Sequence, residues 1–322
     1  MAIPDPILTL RDVQAAAERI ADHVHHPPLV TNPQVDARAG RRVWLATENL
    51  QRGGSFKARG AINRCLRLSE EERRRGVIAC SSGNHAQGVA LAARRLGVPA
   101  TVVMPENAVP CKLAAARYYG ATVVQCGTTS TQRQEQAWQV AEERGLTMIH
   151  PYEDPLVMAG QGTLGLEILA RAPAVQAVLV PIGGGGLIAG MALAIKATDP
   201  RVKVFGVEPA LANDAWLSLQ KGERVTIPEP PTIADGVRAL HVGEPNFPLI
   251  REYVDAVFLV SEEEILDTMR FLMSRTKLVV EPTGAVAPAA ALTGKLPAGL
   301  GPVAAVISGG NLDVDRWRPP VP

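Results

Sequence analysis

Three times in this chain a short apolar run rich in Val and Ile ends in a glycine-rich turn, where a strand should hand over to a helix. The turns are Ser81-Ser82-Gly83-Asn84-His85, Gly183-Gly184-Gly185-Gly186 and Ser308-Gly309-Gly310-Asn311. Strands are expected over 43–47, 76–80, 101–104, 122–125, 175–182, 202–208, 256–260 and 303–307. They lack strict polar alternation, which implies sheets covered on both faces. Amphipathic patterns over 84–96, 131–144, 187–198 and 262–275 supply the covering helices. The fold class is therefore α/β, with mostly parallel sheets flanked by helices. Open sheets of this kind bind ligands at the carboxyl ends of their strands, so the three turns point to a small-molecule site.

The chain has 322 residues, enough for two domains at about 150 residues each. It shows no repeat and no obvious linker, so a second domain has to be inserted rather than appended. With 47% hydrophobic and 20% charged residues it is not a disordered chain. Lys plus Arg number 33 against 32 Asp plus Glu, a balance that gives no pull towards nucleic acid or an anionic membrane. The uncharged stretch 174–195 has the length of a membrane span, but Pro181 and four glycines in its middle make it a strand, a turn and a helix. Four cysteines without a C-x-x-C pair suggest neither a zinc site nor a disulfide framework. No basic start followed by an apolar run opens the chain, and a reducing, cytoplasmic location is expected. His23, His25 and His26 precede Pro27-Pro28 without a partner cluster and read as turn and surface residues.

The tetraglycine turn suits a phosphate, because glycines bring backbone N–H groups close to a ligand at the start of a helix. A tight turn with close helix–sheet packing would need the same residues. So would a nicotinamide dinucleotide site: Gly184-x-Gly186-x-x-Ala189 fits that fingerprint, and Glu208 ends the next strand where a ribose ligand belongs. The turn alone leaves these open. Lysines are scarce, seven in all, and Lys57 lies in an apolar, glycine-rich setting. Such an amine can be desolvated and freed for a Schiff base, or it is a helix-start lysine with a solvated head.

Ser55-Phe56-Lys57-Ala58-Arg59-Gly60, Ser82-Gly83-Asn84-His85-Ala86-Gln87-Gly88, the tetraglycine turn and Ser308-Gly309-Gly310-Asn311 succeed one another in this order. In that order the chain resembles the fold-type II, tryptophan synthase β-like, pyridoxal 5′-phosphate enzymes. It is most similar to their serine/threonine dehydratase (ammonia-lyase) and serine racemase branch, from about Leu10 to Asp313. The resemblance implies two open, twisted, mostly parallel sheets flanked by helices. A large cofactor-binding domain would comprise 1–67 and 154–322, and a small substrate-closing domain 68–153. It also implies a homodimer acting on an amino acid, with no nucleic-acid or membrane partner. By the same resemblance Lys57 carries pyridoxal 5′-phosphate, Phe56 packs on its ring, and Gly183, Gly184, Gly185 and Gly186 cradle its phosphate. Asn84 bonds the ring's phenolic oxygen and Ser308 faces the pyridine nitrogen. Ser81, Ser82, Gly83, Asn84 and His85 receive the substrate's α-carboxylate, and Arg133 closes over the substrate.

A serine hydroxyl does not hold the pyridine nitrogen protonated as an aspartate would, so the ring is a weaker electron sink. Such a site suits β-elimination better than transamination. The expected activity is deamination of L-threonine, L-serine or a related 3-hydroxy amino acid to a 2-oxo acid and ammonia, with Lys57 as general base. Ser82 offers a second acid–base group for the opposite face, which is what a serine racemase requires. Two departures from the racemase pattern, Val237-Arg238-Ala239 after Asp235-Gly236 and the aromatic Tyr152, lean towards lyase chemistry. Arg133 is able to pair with a second carboxylate and so admit 3-hydroxyaspartate. A β-replacement enzyme such as a cysteine synthase and an NAD-binding protein are the remaining alternatives. Finally, Glu208, the Ala212 carbonyl and Asp214 resemble a divalent-cation loop, whose oxygen-only ligands suit Mg²⁺ or Ca²⁺.

Overall fold

The structure, a computed structural model, describes residues 7–81 and 83–313. Its strands are β1 (Leu29–Val30), β2 (Val43–Thr47), β3 (Val77–Cys80), β4 (Ala100–Met104) and β5 (Thr122–Gln125), then β6 (Thr147–Met148), β7 (Ala177–Pro181), β8 (Lys203–Pro209), β9 (Ala256–Val260) and β10 (Val303–Ile307). They form a six-stranded sheet in the order β1-β2-β10-β7-β8-β9 and a four-stranded sheet in the order β5-β4-β3-β6. Only the β1–β2 pair is antiparallel among the described strands. The fold is α/β with two open, mostly parallel sheets.

Both sheets are wired alike. In the large one the chain runs outward from β7 through β8 to β9, then returns to place β10 on the other side of β7. In the small one it runs from β3 through β4 to β5 and returns with β6 beside β3. Each reversal leaves a crevice at the strand ends, the position where open α/β sheets hold ligands. The turns Gly183–Gly186 and Ser308–Asn311 leave the two strands that flank the large crevice. The Ser81–His85 turn and the segment 149–154 leave the two that flank the small one.

Most helices are locally specified. Thr129 and Gln132 form a capping box for the helix Ser130–Arg144, and Ser261 and Glu264 do the same for Glu262–Thr276. Asp154 caps Pro155–Arg171, with proline at its first position. The helices Asn84–Leu96 and Gly186–Thr198 differ. Each begins on a glycine and has no side-chain cap, so its first-turn N–H groups are left for something else.

Every residue of β7 and β10 is buried. One face of the large sheet packs on Pro155–Arg171 and Gly186–Thr198, the other on Pro282–Leu292. This last helix is buried all round, which is why no amphipathic period announces it. The two-residue strands β1 and β6 are likewise too short to show alternation. The uncharged stretch 174–195 divides into β7 and a helix, and no described helix is long and apolar enough to cross a membrane. Arg59, fully buried, pairs with Glu48 at 2.8 Å and Glu167 at 2.5 Å and so ties the helix Lys57–Leu66 to Pro155–Arg171. Removing one partner of such a cluster costs about 3–5 kcal/mol, because the other charge is left buried and alone.

Candidate active site

The crevices of the two sheets open into one cavity of about 550 Å³. Lys57 enters it from the first position of the helix Lys57–Leu66. The bond from Phe56 N–H to the Ser308 carbonyl (3.1 Å) and the bridge between Ser55 and Gly309 pin that helix start to the end of β10. The amine donates to the Pro151 carbonyl at 2.8 Å and lies 5.1 Å from the centre of the Phe56 ring. Burial without a carboxylate partner lowers its pKa to about 8. A substantial fraction is then the neutral, nucleophilic amine near physiological pH. The solvated-head alternative does not hold.

The tetraglycine turn lines the same cavity as Lys57. A Cβ on Gly184 would fall 2.3 Å from the Tyr152 ring, and one on Gly186 would fall 2.9 Å from the Tyr152 Cα. Gly185, at φ +89°, stands where only glycine is relaxed. Glycine is thus required by the packing, and it leaves bare backbone at the uncapped start of Gly186–Thr198. A phosphate fits this cradle and would satisfy those N–H groups. The residues around it fit the rest of pyridoxal 5′-phosphate. Phe56 lines the same wall, and Ser308, at the end of β10, lines it with a buried hydroxyl that donates to the Thr283 carbonyl at 3.3 Å.

On the small-sheet side, Ser81 Oγ accepts from Gly83 N–H at 3.1 Å and shapes the turn into the uncapped helix Asn84–Leu96. Asn84 lines the cavity. Its Nδ2 donates to Glu281 Oε1 at 2.5 Å, while its Oδ1 accepts from Asn311 Nδ2 at 2.9 Å. His85 is buried, and burial pushes its pKa down to about 3. The neutral ring therefore donates from Nε2 to the Ile149 carbonyl at 2.8 Å. Its Nδ1 is left without a partner among the described residues. Ser82 lies outside the described residues.

Arg133, expected to close over substrate, is buried in the cavity wall at 7% exposure. It donates to the Thr128 carbonyl at 3.1 Å and to Ser130 Oγ at 3.0 Å, with no carboxylate partner among the described residues. Glu208 corrects the dinucleotide reading. Its two oxygens accept from the N–H groups of Ala215 and Trp216, at 3.0 and 2.8 Å, and so serve the next helix rather than a ribose. The structure also brings Asp214 to Glu208, both fully buried; among the described residues only the backbone N–H groups of Asp214 and Val242 approach the Asp214 carboxylate, and neither is aligned for a full hydrogen bond. Among the described residues no group of three His, Cys, Asp or Glu gathers around a metal position. Any cation there would rely on the two carboxylates and a backbone carbonyl.

Two charged residues in and behind the cavity wall escaped the sequence reading. Lys112 is 2% exposed and Glu281 1% exposed, and they form an ion pair at 2.9 Å. The scarcity of lysine was the available signal for Lys112. Nothing local marks Glu281.

A desolvated amine and an uncapped tetraglycine turn lining one cavity, on two open α/β sheets, define a pyridoxal-phosphate enzyme of fold type II. The model of the pyridoxal-phosphate dependent enzyme family matches residues 20–309. An L-threonine ammonia-lyase of Geobacter sulfurreducens is 48% identical over 302 residues, 94% of this chain and 75% of the relative. An L-threo-3-hydroxyaspartate ammonia-lyase of a Pseudomonas species is 45% identical over 306 residues, 95% of this chain and 96% of the relative. The solved structure of maize serine racemase superposes with a TM-score of 0.93 at 37% identity, covering 97% of this chain and 96% of that one. The chain belongs to the pyridoxal-phosphate dependent family that unites threonine dehydratases, hydroxyaspartate ammonia-lyases and serine racemases.

Proposed function

We propose that this chain is an ammonia-lyase for 3-hydroxy L-amino acids, converting them to a 2-oxo acid and ammonia. The observation that carries the reading is Lys57, an amine whose pKa burial lowers, lining one cavity with an uncapped glycine turn. Lys57 would hold the cofactor, Gly183 to Gly186 its phosphate, Phe56 one face of its ring, Asn84 its phenolic oxygen and Ser308 its nitrogen. When bound, pyridoxal 5′-phosphate supplies an electron sink that acidifies the α-hydrogen of an amino acid joined to it. Lys57, as a free amine, would take that proton as general base. The Pro151 carbonyl keeps the freed amine inside the cavity. The bare start of the helix Asn84–Leu96, with Ser81, Gly83 and His85, receives the α-carboxylate. Ser308, a neutral hydroxyl, would turn its hydrogen from the Thr283 carbonyl to the ring nitrogen, which would keep that nitrogen unprotonated and favour loss of the β-hydroxyl.

Within this substrate class one observation favours a second carboxylate. A buried guanidinium without a counter-charge is costly, and an anion in the cavity relieves it. Arg133 therefore supports 3-hydroxyaspartate over L-threonine and L-serine. A panel of L-serine, L-threonine and L-threo-3-hydroxyaspartate, assayed for 2-oxo acid, ammonia and D-enantiomer, tests both statements. The expected result is ammonia release from all three, lost in Lys57→Ala by more than 1,000-fold on the order expected for a group that both binds and deprotonates. Arg133→Gln is expected to raise KM for the dicarboxylate about tenfold or more, the worth of a charge-assisted pair, and to spare L-threonine. Racemisation outrunning elimination on L-serine would replace this reading with that of a racemase using Ser82.

Glu208, the Ala212 carbonyl and Asp214 would hold Mg²⁺ or Ca²⁺, away from the reacting atoms. The pairing of two fully buried carboxylates with no cationic side chain against either among the described residues supports this. A hard cation would hold both carboxylates ionised.

A further inference from the structure

Lys112 lies in the helix Pro110–Tyr118, on the small-sheet side, and packs against the substrate turn: a Cβ on Gly83 would fall 2.2 Å from its Cδ. Its ammonium crosses the cavity wall to the large-sheet side. There it donates to Asp235 Oδ2 at 2.7 Å and sits 2.9 Å from Glu281 Oε2, close enough for an ion pair but not aligned for a hydrogen bond. Glu281 is the N-cap residue of the helix Pro282–Leu292, and its other oxygen accepts from Asn84 Nδ2. With Asn84 Oδ1 occupied by Asn311, the amide has one uncommitted hydrogen, on Nδ2, in a side chain that lines the cavity.

The state of Glu281 decides this arrangement. As a carboxylate it is acceptor-only and holds Nδ2 towards itself. As a neutral acid it carries a donor of its own, so its hold on Nδ2 weakens and only the Asn311 bond to Oδ1 still orients the amide. Burial pushes Glu281 towards the neutral acid, Asp235 pushes the same way, and Lys112 is the opposing charge. We infer that Lys112 is a positioning residue for the cofactor reaction: by keeping Glu281 a carboxylate it fixes Asn84 as a donor to the phenolic oxygen of pyridoxal 5′-phosphate. This rests on the lyase reading above, which puts that oxygen beside Asn84.

A donor facing the phenolic oxygen favours its ionised form, whose absorbance lies at longer wavelength than that of the neutral phenol. The test compares full-length wild type, Lys112→Met, Asp235→Asn and the double variant Lys112→Met/Glu281→Gln. Each is reconstituted with pyridoxal 5′-phosphate, and the long-to-short-wavelength band ratio and the cofactor Kd are read at one neutral pH. Lys112→Met is expected to lower the ratio at least threefold and raise the Kd about tenfold. The double variant, which removes the stranded carboxylate while keeping an amide acceptor for Asn84, is expected to recover most of both. Asp235→Asn breaks the other half of the bridge yet leaves Glu281 its counter-ion, so its ratio is expected to equal or exceed that of wild type.

A latch serving only to hold the two sides together predicts that Asp235→Asn and Lys112→Met fail alike. That outcome overturns the inference, as does a Lys112→Met ratio within the error of wild type. If Lys112→Met does not fold, the sign of the change in Asp235→Asn decides alone. Wild type that forms no visible band would overturn the lyase reading and this inference together. A normal wild-type band with indifferent variants overturns this inference only.

Discussion

The large and small sheets share one wiring plan, two strands outward and a return, but they are not buried alike. β7 and β10 are buried at every residue and the inner strands β3 and β4 at all but one each, whereas the edge strands are more open, β5 more so than β9: β5 exposes Thr122 and Gln125 and half-buries the valines between them. The same topological rule therefore places a binding crevice on each sheet, while packing sets how firmly each crevice is held. The large-sheet side carries the tetraglycine cradle and Ser308, which a cofactor would need in fixed positions. The small-sheet side carries Arg133 and the Ser81–His85 turn, which on the proposed reading would meet the substrate. Between them runs the segment 149–154, whose carbonyls hold His85 and Lys57 and whose Tyr152 lies on the cradle. This division suits an enzyme that retains its cofactor and exchanges its substrate.

The sharpest way to break this comparison is at Gly184. Here a side chain meets an aromatic ring wedged against the adjacent backbone, so nothing nearby gives way cheaply. Gly184→Val is expected to abolish stable cofactor retention, a loss of about 100-fold or more in affinity, with little change in the amide exchange of β3 to β5. Cofactor titration followed by hydrogen exchange checks it. Retained affinity would show that the cradle is not the anchor.

The next largest effect is in the cores. Leu179 in β7 is fully buried and Val123 in β5 is not. Leu179→Ala is expected to cost about 2–5 kcal/mol, the range for a large-to-small change in a packed core. Val123→Ala is expected to cost about 1 kcal/mol or less, as for a partly exposed site. Denaturant melts of the two variants measure the difference. Equal costs would mean that the small sheet is as tightly bound as the large one.

This contrast also explains what was legible in the sequence. β2, β5, β9 and β10, and the helix Asn84–Leu96, lie where the residue pattern puts them, because hydrophobic runs and glycine turns are local signals. Lys57, Gly183 to Gly186, Asn84 and Ser308, which the structure gathers around one cavity, could be picked out because their motifs are local and follow one another in a family-specific order, although composition alone left their roles open. Arg133 was readable as a residue but not as a buried, unpaired charge, since its burial comes from the neighbouring strands rather than from the helix Ser130–Arg144 itself. Lys112, Asp235 and Glu281 were invisible as a group. They come from three separate segments, and only the docking of the two sheets brings them together.

The smallest expected effect sharpens the comparison at the end of β8 in the large sheet, where Glu208 and Asp214 are buried side by side. Burial raises the Asp214 pKa to about 7, against 3.8 for an ordinary aspartate, and Glu208 is raised as well. A carboxyl whose pKa is higher in the folded state binds more protons there than in the unfolded chain, so folding loses stability as pH rises between the two values. In a cation-free buffer the unfolding free energy is therefore expected to fall between pH 4 and pH 7, by on the order of 2 kcal/mol for a group shifted this far but partly relaxed by its surroundings. Above pH 7 the Asp214 contribution levels off. A bound Mg²⁺ or Ca²⁺ stabilises the ionised pair, so millimolar cation is expected to remove most of that decline and to raise the melting temperature at pH 8. Asp214→Asn, which has no charge to bury, is expected to flatten the profile without added metal. A slope that survives in Asp214→Asn and ignores both cations would place its origin elsewhere. The buried triad of Lys112, Asp235 and Glu281 would then be the next place to look, and it joins the two sheets rather than belonging to one.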